Sequence, residues 1–599
     1  EVQVSPNGKH IAYVRRSNDI MSDSSRANVW LASVDGKSNR PLLSSKKNYY
    51  SIRWSPDGSR LAYLSNEEGK PQLYVRWMDT GQTALVTNVT SSPSNITWSP
   101  DGKHIAFTMS VDAKEKPLGV KMPKKPDGAK WSPSFQYITK ARYQADGRGI
   151  LEPAYTHIFI VPADGGTARQ LTSGNYHHNG RLSFSPDSDK IYFSANRSDN
   201  WEYEPVEGDI FSVDMMGNIA QLTNDKGLES SPVVSPDGKH IAYARRDDEK
   251  VMYKNSYLYV MKSDGTDAQN LTKDIDNSVS NFHWKDNKHV YFQQSVRGLA
   301  QVDVVSLSGS VKAVAKGLGG TTLGRPYVFG TYHAVDDVVA YTKGRTDRPA
   351  DLYVTTRNER QLTALNEDVL GHKQLGEVKE IVYSSSIDGE EIQGWYILPP
   401  NYDSSKTYPL ILEIHGGPHA AYGPHFAMEI QLMAAQGYVV VWSNPRGSSS
   451  YGEDFGNLIH HNYPSQDFND LMDVVDAVVE QGYVDSENLF ITGGSGGGTL
   501  TAWSIGKTDR FSAAVVAKHL AKAGATVRFS TVLGDDPLAK FVLDDLAAAG
   551  IDTQASIDPT RITTQKNVFI AADHRLLKVD KVDNRPISDR TLDELKHSM

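Results

Sequence analysis

A short motif that returns at intervals through the first 360 residues constrains this chain more than any other feature. Ser5 to Gly8 reads Ser-Pro-Asn-Gly and leads into Ile11-Ala12-Tyr13. Ser55 to Gly58, Ser99 to Gly102 and Ser235 to Gly238 read Ser-Pro-Asp-Gly and lead into Leu61-Ala62-Tyr63, Ile105-Ala106-Phe107 and Ile241-Ala242-Tyr243. Ser185 to Ser188 is a variant followed by Ile191-Tyr192-Phe193, and two worn copies follow at Trp284 to Asn287 and Asp337 to Tyr341. Each unit is a turn feeding an alternating strand. Several units then add a second strand, as in Ile158 to Val161 and Leu258 to Val260. A period of roughly 45–50 residues with several strands per unit predicts a β-propeller of about seven blades. It is expected to span residues 1–375 and to be truncated at its N-terminal end, because Glu1 already lies inside a repeat. The long interval between Ser99 and Ser185 holds the Lys- and Pro-rich stretch Ala113 to Lys130, which reads as a solvated loop.

Near residue 376 the pattern changes to alternating strands and helices, which predicts a parallel sheet. Ile392 to Leu398, Pro409 to Ile414 and Tyr438 to Trp442 read as strands. Asp467 to Gln481 reads as a helix with Phe468, Leu471, Val475, Val478 and Val479 on one face and Gly482 as its stop. Leu489 to Thr492 is a short apolar strand running into Gly493-Gly494-Ser495-Gly496-Gly497, with a helix expected from Thr499. Strand, Gly-x-Ser-x-Gly turn and helix together are the context of a nucleophile elbow, which makes Ser495 the candidate nucleophile. Upstream, His415-Gly416-Gly417-Pro418 leaves a strand with two glycines. That lets a backbone N–H face a substrate carbonyl, so Gly417 and Gly496 are the candidate oxyanion donors. The competing readings are a glycine-rich turn with an incidental serine and a simple strand-exit turn.

Ser-Pro-Asp-Gly repeats, joined to His415-Gly-Gly-Pro418, Asn444-Pro-Arg-Gly447 and Gly493-Gly-Ser-Gly-Gly497, resemble the prolyl oligopeptidase family over residues 1–518. The similarity is greatest to its acylaminoacyl-peptidase and dipeptidyl-peptidase branch. The resemblance implies an α/β-hydrolase domain from residue 376, a serine peptidase whose propeller admits only short peptides, and no cofactor. It also implies an aspartate and then a histidine after the serine. Asp573 follows the apolar run Asn567 to Ala572 at a suitable interval, but His597 lies in a polar tail without a glycine-rich turn. The acid and base are therefore left unassigned. Residues 519–599 instead resemble an interior piece of the ribokinase-like sugar kinases, nearest the heptose-phosphate branch. The residues that carry this are Ala517 to Ala525, Leu533 to Leu538, Asp558 to Thr564 and Leu576 to Asp580. The Gly-Ala-Gly-Asp anion hole of those kinases is absent from the sequence, and so is a phosphate-binding glycine loop with a lysine. The expectation is a junction near Ala517–His519, a hydrolase domain incomplete at its C-terminal end, and impaired peptidase activity. A non-catalytic propeller that binds peptides or partners is the alternative, with a carbohydrate kinase a distant third.

Bulk properties narrow the field. With 63 Lys and Arg against 72 Asp and Glu, the formal charge is −9, and no basic footprint for nucleic acid appears. No apolar run approaches the length of a bilayer span. The absence of cysteine removes disulfides, a thiol nucleophile and thiolate metal sites. Glu202 and Glu204 suit a substrate amino group but read first as exposed loop acids. His177-His178 and His460-His461 lack converging carboxylates at ligand spacing and read as surface histidines, so no metal site is expected.

Overall fold

The structure is a computed structural model. It describes residues 1–113, 124–131, 138, 140–145, 149–514, 527–548, 551–559, 565–571 and 574–581. Most of the charged stretch Ala113 to Lys130, the junction at Ala517–His519, Asp573 and His597 lie outside the described residues.

The chain divides into two compact units. The first is Glu1–Gln374 with Gly423–Met428 and Ser449–His460; the second is Leu375–Tyr422, Glu429–Ser448 and His461–Met599.

Among the described residues the first unit holds seven groups of four antiparallel strands, within 2–43, 49–85, 94–170, 183–221, 228–270, 279–318 and 332–361, and a small hairpin of Gln144–Ala145 with Gly149–Ile150. A single pairing, Leu318 with Lys343, joins the last two groups into one sheet. The repeated tetrapeptide acts through its side chains. Ser55 is fully buried, its Oγ donates to Asp57 Oδ1 at 2.6 Å, and it accepts the Arg60 N–H at 2.9 Å. Gly58 turns the chain at φ +72°, where an L side chain is strained. Hydrogen bonds from the Ser55 and Ser59 hydroxyls hold the Asp57 carboxyl down to about 2. In the variant copy Ser188 occupies the glycine position at φ 66°.

Tryptophans stitch neighbouring blades on the innermost strands. The indole N–H of Trp54 donates to Gln3 O at 3.1 Å, that of Trp98 to Arg53 O at 3.1 Å, and that of Trp284 to Val233 O at 2.8 Å. Val2, Val4 and Ile11 of the first blade pack with Ala340, Leu352 and Val354 of the seventh, which closes the ring. The segments Gly423–Met428 and Ser449–His460 belong to this unit because their polar groups are satisfied there. Glu453 pairs with Lys254 Nζ at 2.7 Å and accepts Asn255 N at 2.9 Å, and the Ser450 hydroxyl accepts Gly298 N at 3.0 Å.

One carboxylate in the propeller is poorly compensated. Glu229 is 1% exposed and 3.6 Å from Arg245, which also serves Asp225 and Asp247. Burial pushes its carboxyl up to about 7, with Asp209 and Asp225 adding to the rise against Arg245. A raised acid favours folding below its unfolded value and loses that contribution as pH climbs through the folded one. Glu229→Gln is expected to change stability little at pH 5 and to raise it at pH 8 by roughly 1–3 kcal/mol more than at pH 5. Denaturant unfolding at the two pH values checks this; a loss of stability at pH 8 would contradict it.

The second unit is built on a six-stranded sheet, in the order Val378–Ser384, Glu391–Ile397, Val439–Ser443, Tyr408–Ile414, Val484–Gly493, Ala513–Ala514. The first two strands are antiparallel to their neighbours and the other four run parallel to one another. The helix Asp467–Val479 packs Leu471, Val474, Val475 and Val478 against Leu410, Leu412, Val439, Val441, Leu489 and Ile491. Near-continuous aliphatic strands of this kind are what a parallel sheet requires, because the sheet is covered on both faces. Val527–Gly534 pairs in parallel with Ile551–Asp558 across the helix Pro537–Ala548, and Gln565–Ala571 pairs antiparallel with His574–Lys581. Neither pair joins the six-stranded sheet, which ends among the described residues on the two-residue strand Ala513–Ala514.

Candidate active site

Strands Tyr408–Ile414 and Val484–Gly493 are in register at their C-terminal ends, Ile414 opposite Gly493. The loops beginning at His415 and Gly494 therefore leave adjacent strands at the same level, where open α/β sheets place their ligands. The second loop turns at once into the helix Gly496–Ile505, with Ser495 as its N-cap.

Ser495 is exposed and sits at φ 56°, ψ −116°. That strained backbone is uncommon for a residue with a side chain, and its surroundings enforce it. A Cβ on Gly497 would stand 2.1 Å from Ile414 O, and one on Gly493 would stand 2.6 Å from the carbonyl of Gly497. A Cβ on Gly496 would lie 3.0 Å from Gly417 N, so the two glycine loops touch backbone to backbone. Gly417 itself is at φ +136°. Among the described residues neither the Gly417 N–H nor the Gly496 N–H has a hydrogen-bond partner. Two free donors thus flank a serine held at a helix N-terminus, where the dipole favours negative charge.

The loops behind these donors are fixed by buried polar contacts. His415 is buried, with Nδ1 2.8 Å from Gly416 O, Nε2 2.9 Å from Ser448 Oγ, and its ring edge-on to Tyr422. Burial pushes it down to about 4, so it is neutral and both nitrogens are engaged in holding the loop. Asn444 exchanges two 2.8 Å hydrogen bonds with the backbone of Tyr422, and His419 Nδ1 lies 2.9 Å from Gly447 O. Arg446 grips Asp470 with Nε and Nη2 at 2.9 and 3.0 Å, its backbone N–H adds a third bond at 2.9 Å, and Asp470 is fully buried. The sequence displays Asn444 to Gly447 as a motif, but nothing local identifies Asp470 as its partner.

Ser495, Gly417 and Gly496 are thus brought together. Asp573 and His597 lie outside the described residues, and among the described residues no histidine or carboxylate reaches Ser495 Oγ. Of the other candidates, Glu204 and His461 are exposed as expected, and Glu202, His177, His178 and His460 differ from expectation. Glu202 is not a free surface acid: Lys140 Nζ is 3.0 Å away, and the Ala141 N–H donates to it at 3.0 Å. Only Glu204 of that pair is exposed. His178 is fully buried, not on the surface, packed on His157 and Phe193 with Nδ1 3.1 Å from Thr156 O. His177 and His460 are half-buried and accept backbone N–H bonds from Thr156 at 3.3 Å and Met252 at 3.2 Å; His461 is exposed. His177 and His178 pack on aromatic neighbours, Tyr155 and Trp201 for the first and Phe193 for the second, that periodicity does not reveal. Among the described residues no three metal-capable side chains converge.

Comparison with known proteins agrees with this architecture. The model of the prolyl oligopeptidase family matches residues 424–532, that of the TolB β-propeller domain residues 7–151, and that of the dipeptidyl peptidase IV N-terminal region residues 131–243. The chain is 31% identical to the uncharacterized peptidase YuxL of Bacillus subtilis, over 86% of this chain and 80% of that protein. It is 24% identical to dipeptidyl-peptidase 5 of Porphyromonas gingivalis, over 86% and 76%. Its fold superposes on Pyrococcus horikoshii acylaminoacyl peptidase with a TM-score of 0.74 at 21% identity, covering 92% of this chain and 89% of that one.

Proposed function

The chain belongs to the prolyl oligopeptidase family of serine peptidases, and from that premise we propose that Ser495 is its nucleophile, acting on short peptides. The strained Ser495 backbone beside two unpartnered N–H groups carries this reading. Ser495 Oγ adds to the scissile carbonyl while its proton passes to a base. The carbonyl oxygen becomes an oxyanion that accepts from Gly417 N–H and Gly496 N–H. The tetrahedral intermediate then expels the peptide amine, which takes up a proton, and water releases the acyl group from Ser495 by the reverse sequence. The dipeptidyl-peptidases among its relatives make a peptide the substrate class that fits.

The proposal includes impairment. Residues 519–599 are read as a segment foreign to this fold, similar to an interior piece of a sugar kinase, although the prolyl oligopeptidase match runs on to residue 532. No base is recognisable in the sequence of that segment, and neither is a phosphate-binding glycine loop with a lysine. Its first strand pair stands apart from the six-stranded sheet, in keeping with this reading. Without a base the oxyanion hole and binding still retain roughly 10³–10⁴-fold acceleration over water.

A fluorophosphonate probe tests the nucleophile. Labelling of the folded chain, abolished in Ser495→Ala, is the expected result. No labelling of folded protein would leave a peptide-binding propeller instead. Turnover of a dipeptidyl amide tests the impairment: a kcat in the usual range of about 1–10³ s⁻¹ would overturn it, together with the foreign reading of the tail.

A further inference from the structure

Four cationic or imidazole side chains from separate blades meet on the axis of the propeller. Arg53 lies on the innermost strand of the second blade, Arg181 just before that of the fourth, His283 on that of the sixth and His333 on that of the seventh. Arg181 Nη1 donates to Phe282 O at 2.5 Å, bypassing the fifth blade, and such a reach is possible only across the central channel. The His283 and His333 rings are 4.8 Å apart, and His333 Nδ1 accepts the Val4 N–H at 3.2 Å. That bond fixes the His333 tautomer and leaves Nε2–H as a donor. Arg53 is compensated by Glu1, 2.7 Å away. Arg181 has no such partner: among the described residues no carboxylate lies within ion-pair distance of it.

Arg181 is half-buried, and a guanidinium held there without a counter-charge is costly, a cost that falls when an anion sits against it. Burial, and then Arg53, bring Arg181 down to about 10. Burial, with the same two arginines, brings His333 down to about 3 and His283 well below its usual value. At neutral pH the site therefore presents one uncompensated planar cation and neutral imidazole donors. That is a match for the fork of a carboxylate or phosphate.

We propose that the propeller channel holds an oxyanion site formed by Arg181 with His333 and His283, taking the free carboxylate of a peptide C-terminus or an inorganic oxyanion of the same geometry. The site is independent of Ser495, and its test does not use the hydrolytic reaction.

Isothermal titration of the full chain at constant ionic strength, with inorganic phosphate and with tri-alanine bearing a free or an amidated C-terminus, tests it. The expected result is saturable one-site binding of phosphate, of the free acid, or of both, with the amide at least tenfold weaker. Arg181→Met should lose the binding at least tenfold, and Arg181→Lys, which keeps the charge but not the fork, should lose less. Binding of phosphate alone identifies a free-oxyanion site, and binding of the tri-alanine acid a substrate-end site; either supports the proposal. No saturable binding of either probe to the wild-type chain overturns it, as does binding unchanged in folded Arg181→Met. If Arg181→Met does not fold, the graded loss in Arg181→Lys and the acid-to-amide ratio of the wild type decide the matter.

Discussion

Gly497→Ala is expected to abolish Ser495-dependent labelling and to destabilise the catalytic unit, although alanine is the better helix former by about 1 kcal/mol. The added methyl would stand 2.1 Å from Ile414 O and 2.8 Å from His415 O. Both contacts are to backbone, and Ile414 is fixed by its register opposite Gly493. Relief therefore requires either the elbow to move outward or the His415 loop to retreat. Overpacking of this kind costs roughly 1–3 kcal/mol. Either movement also separates the Gly417 and Gly496 donors, and loss of one oxyanion donor alone costs about 10²–10³ in rate. Gly498→Ala is the matched control, since its nearest neighbour, Gly493 O, is 3.3 Å away and a small adjustment accommodates it. The measurement is labelling rate together with the denaturation midpoint. Full labelling by a stable Gly497→Ala chain would mean that the two loops are not locked as described.

The features legible in the sequence are those whose physics is local. The Ser-Pro-Asp-Gly turn is specified within six residues, because Ser55, Asp57, Gly58 and Arg60 satisfy one another, and so its copies announce the blades. The elbow is equally self-contained: Gly493, Gly496 and Gly497 are glycines because backbone approaches leave no room for a Cβ. What the sequence conceals depends on contacts made at long range. Glu202 looks free until Lys140 and the Ala141 N–H are brought to it. His178 sits in a polar run yet is buried between His157 and Phe193. Ser449–His460 falls within the stretch of alternating strands and helices, yet it belongs to the propeller unit through Glu453 and Ser450. The Arg181 site is the extreme case, since its members are separated by whole blades and no window of sequence contains two of them.

Asp470→Asn is expected to cost the catalytic unit about 3–5 kcal/mol, the loss that follows when one partner of a buried ion pair is removed. Arg446 is 3% exposed and would keep only Asp388, Gln466 and Ser385, which accept from its Nη atoms at 2.8–3.2 Å. Of these only Asp388 is charged, and it lies half in solvent, where compensation is weak. Its damage should reach the chemistry as well. Asn444, on one side of Arg446, holds the Tyr422 backbone; Gly447 and Ser448, on the other, hold His419 and His415. A loosened Arg446 thus frees the loop that aims Gly417. Urea unfolding and the fluorophosphonate labelling rate should fall together in Asp470→Asn. The double replacement Arg446→Met with Asp470→Leu removes both charges and should recover most of the stability without the labelling rate, because apolar packing can replace a buried pair but not its hydrogen bonds to the loop. A loss below about 1 kcal/mol in Asp470→Asn would show that the pair is solvated and does not anchor the donor loop.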